Sequence, residues 1–176
     1  MEEDHLSHNN FTKNHYVGHM KNIFVILISF LLSTSLMAAG SDSSSSSSSE
    51  TSLYDDAVKL VKRAGKLEKK EKIQKAKKLY SQAFNKLEKA HKSDKKNPDI
   101  LNYLGYTLRK KGDFEKAEIY YLKGLELDPN HPGINEYLGE LYIQTNRINL
   151  AKKRLEVLKD CNCEEFEELK ELIEKK

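Results

Sequence analysis

The sequence predicts an all-α fold, a superhelix of about three stacked helical hairpins closed by a C-terminal helix. Three observations lead there. Ala83, Ala117 and Ala151 recur at intervals of 34 residues, a period that marks helix–turn–helix units stacked in series. Around each alanine, residues stand three before (Tyr80, Phe114, Ile148), four after (Leu87, Tyr121, Leu155) and seven after (Ala90, Gly124, Leu158). Those offsets trace one helix face. The two downstream units also share a second pattern, Leu101-x-x-Leu104-Gly105-x-x-Leu108 and Asn135-x-x-Leu138-Gly139-x-x-Tyr142.

The segments ahead of the repeat read differently. Ile23 to Met37 is fifteen uncharged residues, preceded by Met20-Lys21-Asn22 and followed by Ala38-Ala39-Gly40-Ser41. A basic start, an apolar run and small residues form the pattern of a secretory signal peptide. We assign it to residues 20–40, with cleavage between Gly40 and Ser41. The run is short for a membrane span of about twenty residues, and an uncleaved anchor is the alternative. Residues 1–19 are polar, carry Glu2, Glu3 and Asp4, and read as an upstream extension, with translation starting at Met20. The expected compartment is the periplasm, with secretion as the other outcome. Residues 41–52, around the Ser43–Ser49 run, read as a flexible linker.

The first hairpin is assigned to residues 53–97. Tyr54, Ala57, Val58, Val61 and Gly65 mark its first helix and turn. Tyr80 then follows Gly65 by 15 residues, where the other units use two. The 13 extra residues within Lys66–Leu79 are rich in Lys and Glu and free of Pro and Gly, so helical extension is expected. The second helix should run from Lys70–Lys72 to about Lys92, in a hairpin that projects beyond the stack. Residues 98–131 and 132–162 form the next two hairpins. Their turns, Lys111-Gly112-Asp113 and Thr145-Asn146-Arg147, offer Gly or Asn for a left-handed cap. In the closing helix, 163–176, Asn162-Cys163-Glu164-Glu165 reads as an N-cap with an acidic third position. Phe166, Leu169, Leu172 and Ile173 share its inner face, and Glu164, Glu167, Glu168, Glu171 and Glu174 take the other positions, as the end of a stack requires.

These residues resemble the tetratricopeptide repeat family. Pro98 to His131 fits through Leu104, Gly105, Gly112, Phe114, Ala117, Tyr121, Leu125, Asp128 and Pro129. The following unit fits through Leu138, Gly139, Tyr142, Ala151 and Leu155, with Asn135 where an aromatic is usual and Cys163 where Pro is usual. The resemblance implies a binding module whose first helices line a concave surface. Partner contacts map onto Asn102, Tyr106, Arg109 and Lys110 in one unit and Glu136, Glu140, Ile143 and Gln144 in the next. Tyr103 and Tyr137, at the edge, read as packing between hairpins. Some members clamp a terminal carboxylate with Lys and Asn; the corresponding Asn102, Tyr106, Gly133 and Tyr137 do not provide that clamp.

An enzyme is not expected. No Ser–His–acid or Cys–His arrangement is suggested, and Glu136 and Glu140 stand one helical turn apart on the inner face. Four of the six His fall in the first nineteen residues, and two Cys alone complete no zinc site, so neither metal nor cofactor is expected. Cys161 and Cys163 are the only cysteines. A disulfide between them, closing the turn before the last helix, is the leading reading outside the cytoplasm; a redox pair is the alternative. Net charge is +3, but Lys62 to Lys78 holds nine basic and two acidic residues, while Asn97 to Lys176 holds 13 basic and 16 acidic. The basic hairpin suggests weak contact with an anionic surface. Nucleic acid is not expected, because no aromatic residue interleaves with the lysines. The reading is an exported, monomeric, non-catalytic adaptor that binds a protein or peptide segment on its concave surface. The alternatives are an accessory subunit of a stable envelope complex, and attachment to the envelope surface through the basic hairpin.

Overall fold

A computed structural model describes residues 46–176. The upstream extension, the signal peptide and linker residues 41–45 lie outside the described residues. Among the described residues there are seven helices and no strand: α1 (Ser46–Glu68), α2 (Ile73–Ser93), α3 (Pro98–Lys111), α4 (Phe114–Leu127), α5 (Pro132–Gln144), α6 (Ile148–Leu158) and α7 (Glu164–Glu174). They pair as α1/α2, α3/α4 and α5/α6, and α7 packs on α5 and α6. This is the all-α stack that the repeat predicts.

Local chemistry sets the helix ends. Asn97 accepts a hydrogen bond from the Ile100 amide, and Pro98 takes the first helical position of α3. Asp113 does the same for Lys116 at the start of α4, and His131 Nδ1 for Ile134 at the start of α5. Gly112 ends α3 with φ 94°, and Asn146, φ 59°, turns the chain after α5. Both are the left-handed positions that the turn sequences predict.

The core runs along the seam between first and second helices. Ala57 and Ala64 face Ala76, Tyr80, Ala83 and Leu87 in one cluster, and Ala117, Tyr121, Leu138 and Ala151 belong to a second. α3 contributes to both, and Phe84 and Tyr120 pack against both with ring centres 6.4 Å apart. Asn135, where an aromatic is usual, is fully buried but satisfied: its amide donates to the Pro129 and His131 carbonyls, and Arg154 donates to its oxygen. It locks the α4–α5 loop by hydrogen bonds in place of ring packing.

Three boundaries differ from expectation. α1 does not stop at Gly65 but continues to Glu68, and the chain turns through Lys69–Lys72, with Glu71 at φ 57°. The continuation has a packing partner, since Ala64 and Leu67 extend the apolar stripe of α1 along the longer α2. Relative to its core alanine, α2 starts seven residues earlier than α4 does, about two turns or ~10 Å of extra helix. At the other end of α1, Ser46–Ser49 is helical rather than linker; the segment contains neither Pro nor Gly to break a helix. Finally, Cys163 rather than Asn162 occupies the N-cap of α7, because Asn162 takes the left-handed conformation, φ 49°.

Leu169 is fully buried and lies against Gly139, fixing α7 to α5. Leu169→Ala should lower unfolding stability by about 2–4 kcal/mol in urea titrations followed by circular dichroism; a loss under about 1 kcal/mol would mean α7 is not docked in solution.

Candidate functional site

The inner surface is built from the first helices α1, α3 and α5, with α7 at its end. Tyrosines run along it. Tyr54 meets Tyr103 edge-on with ring centres 5.8 Å apart, Tyr103 meets Tyr106 at 6.5 Å, and Tyr106 lies 4.8 Å from Tyr137. Tyr80 supports Tyr106 from α2 at 6.0 Å. Tyr54, Tyr103, Tyr106 and Tyr137 are each half-buried, so the column stays open to solvent on one side. Aromatic pairs of this kind add ~0.5–1.5 kcal/mol each beyond burial, which makes the column rigid.

Arg109 sits inside this column. Its guanidinium carbon is 5.3 Å from the Tyr106 ring centre and 5.5 Å from that of Tyr137, and Nη1 donates to Glu140 Oε2 at 2.7 Å. Burial alone would lower its pKa, but Tyr121 and Glu140 offset that and raise it. The guanidinium therefore stays charged and ties α3 to α5. Lys110 lies 2.7 Å from Glu68 Oε2, which also accepts from the Tyr80 hydroxyl at 3.0 Å. This second tie joins the extension of α1 to α3.

At the far end a carboxyl cluster joins α5 to α7. Glu136 is buried, and the carboxyls of Glu168, Glu140 and Glu165 lie near enough to act on it. Burial first, then Glu168 and the other neighbouring carboxyls, push its pKa up to about 9. A proton retained on Glu136 relieves the like-charge repulsion among these carboxyls.

The eight mapped contact positions therefore divide in two. Asn102, Arg109, Glu136 and Ile143 are buried, between 3% and 8% exposed. Their side chains hold helices together, a correction to their reading as partner contacts. The cause is close approach: a Cβ on Gly133 of α5 would lie 2.9 Å from Asn102 Nδ2. Tyr106, Lys110 and Glu140 are half-buried and Gln144 is exposed, so these four define the open strip. Tyr137, read as packing, does pack on Tyr106 and Arg109.

Residues 98–131, the α3/α4 hairpin at the centre of this surface, match the tetratricopeptide repeat family. The α3/α4 hairpin is a tetratricopeptide repeat. The chain is 35% identical over 75 residues to the Sol locus transcriptional repressor of Clostridium acetobutylicum, a stretch that covers 43% of this chain and 24% of that protein. The chain thus matches about a quarter of the length of that relative. Among solved structures it is similar to the type III secretion chaperone SycD of Yersinia enterocolitica in complex with a YopD peptide. That likeness has 20% identity, covers 69% of this chain and 88% of that one, and gives a TM-score of 0.49. It is also similar to the first tetratricopeptide repeat domain of Spaghetti (RPAP3) bound to an HSP90 peptide, at 21% identity, 69% and 94% coverage and a TM-score of 0.44.

Two residues of the tetratricopeptide-repeat surface escape a pattern-based reading. Glu68 lies in the insert, outside the repeat register, yet pairs with Lys110. Glu168 is one of the acidic residues of α7 assigned to the outer positions, yet it acts on the Glu136 carboxyl. Cys161 and Cys163 are joined by a disulfide, with Cα atoms 5.2 Å apart, in the turn that leads into α7. Among the described residues no group of three or more His, Cys, Asp or Glu is placed to hold a metal ion.

Glu136 gives the repeat a pH signature. Its folded pKa lies above the ordinary 4.5, so over that interval the folded chain holds a proton the unfolded chain has lost. Its contribution is full below about pH 4.5 and is lost as the pH rises through about 9. Glu136→Gln, which keeps a neutral donor, should raise the melting temperature at about pH 8 by several degrees and flatten its decline between about pH 5 and 9. Parallel declines in variant and parent would contradict the assignment.

Proposed function

We propose that this repeat protein is a non-catalytic adaptor that holds a protein or peptide segment against the strip of Tyr106, Lys110, Glu140 and Gln144. The observation that carries the proposal is Tyr106, half-exposed but braced by Tyr80, Tyr103, Tyr137 and Arg109. A large amphipathic ring already fixed in place loses little entropy when a partner closes over it, which favours Tyr as a binding anchor. Lys110 and Glu140 flank it with opposite charges, each already paired within the protein. They set polarity and orientation along the strip, and the ring supplies contact area. The signal-like leader and the Cys161–Cys163 bond support work outside the reducing cytoplasm, in the periplasm.

The test is a crosslinking pull-down of the tagged full chain from the envelope fraction. Tyr106→Ala/Gln144→Ala should cut recovery of a single partner by about tenfold or more, as loss of a hot spot does. Lys152→Ala/Lys153→Ala on the exposed side of α6 should leave it unchanged. Recovery unaffected by the first pair would contradict the proposal. Co-purification at fixed stoichiometry would identify the partner relation as that of an accessory subunit.

A further inference from the structure

The end of the first hairpin carries charge that the fold does not use. All nine basic side chains between Lys62 and Lys78 are exposed, and none forms an ion pair among the described residues. Of the two acidic residues there, Glu68 is occupied by Lys110 and Tyr80, which leaves Glu71. Like charges at helical spacing repel and cost stability. The hairpin concentrates them where α2 runs about two turns past the position at which α4 begins.

The same end presents apolar surface between the cations. Arg63, Lys66 and Lys70 surround a shallow cleft of about 200 Å³ whose floor is Leu67 and Leu79. Ile73, the first residue of α2, is 45% exposed. A cationic rim around an apolar floor, with an exposed aliphatic side chain at the tip, is complementary to a surface that is anionic outside and hydrocarbon beneath.

We propose that this tip docks on the headgroup layer of an anionic phospholipid membrane, with Arg63, Lys66 and Lys70 meeting phosphates and Ile73 entering the interface. Eight of the nine cations are lysines, spread over two helices. Strongly hydrated point charges on flexible stems suit a diffuse layer of phosphates, whereas recognition of one defined carboxylate favours the bidentate arginine fork. The tip between Lys62 and Lys78 carries one aromatic-free run of side chains, so it offers nothing for nucleic-acid bases to stack on. The tip acts independently of the Tyr106 strip, and either can fail without the other.

The test is flotation of the full chain with phosphatidylcholine vesicles and with vesicles that also contain phosphatidylglycerol. Any insertion by the apolar run Ile23–Met37 registers on both, so the difference between compositions isolates the tip. Binding to anionic vesicles should exceed binding to neutral ones at low salt and fall as salt rises. Arg63→Gln/Lys66→Gln/Lys70→Gln should weaken anionic binding by about tenfold or more. Lys95→Gln/Lys96→Gln/Lys153→Gln, which removes equal charge from other exposed positions, should leave it largely intact. Circular dichroism confirms that both variants stay helical. Equal binding to the two compositions, or equal losses in the two variants, would overturn the proposal. Capture on immobilised polyglutamate without vesicle binding would overturn it in favour of an acidic protein partner.

Discussion

A Cβ on Gly105 would lie 2.6 Å from the Tyr121 ring, and one on Gly139 would lie 2.6 Å from Leu169. Neighbouring helices come this close because small residues stand where they cross. Ala57, Ala64, Ala76, Ala83, Ala117 and Ala151 have no exposed surface at all. Large side chains then fill the volume beside the crossings, and Tyr80 and Tyr121 are buried completely. The pattern of small against large sets the spacing of the hairpins, and that spacing decides the fate of every polar group on the inner surface.

The consequences are visible one turn away from each crossing. With α3 and α5 held close, Asn102 and Arg109 are covered, and the Arg109 charge is compensated there by Glu140 and by the faces of the Tyr106 and Tyr137 rings. Removing one partner of such a pair is costly, because the other is left uncompensated. With α5 and α7 held close by Leu169, Glu136 is buried beside the carboxyls of α7, and its pKa rises. The surface left open is narrower than the inner helices alone suggest. It is an aromatic column with one basic and one acidic neighbour, and that selectivity of exposure is what a binding strip requires.

Much of this is legible in the sequence, for a physical reason. A 34-residue period places equivalent packing positions in register, so Ala83, Ala117 and Ala151 announce the stack, and Gly112 and Asn146 announce the left-handed turns after α3 and α5. The first hairpin is less legible because Gly65 is ambiguous. Glycine marks a turn when φ is positive, yet here it lies within α1, and apolar packing along the longer α2 carries the helix past it. The site is legible in direction but not in depth. The family resemblance places Asn102, Arg109, Glu136 and Ile143 on the inner surface; it does not say how near the next helix lies, and nearness buries them. Glu68 and Glu168 stay hidden for a related cause, since each acquires its role only when a helix from another unit arrives.

The most direct measurement compares one substitution at two glycines by urea unfolding. Gly105→Ala places a methyl group against Tyr121 at a helix crossing and should cost about 1–3 kcal/mol. Gly65→Ala lies within α1, where a Cβ would meet nothing within 4 Å, and should gain about 0.5–1 kcal/mol from helix propensity. Opposite signs are the predicted result. A neutral Gly105→Ala, or a Gly65→Ala as damaging as a substitution in a turn, would contradict the account of close helix approach and of a first hairpin that continues through Gly65.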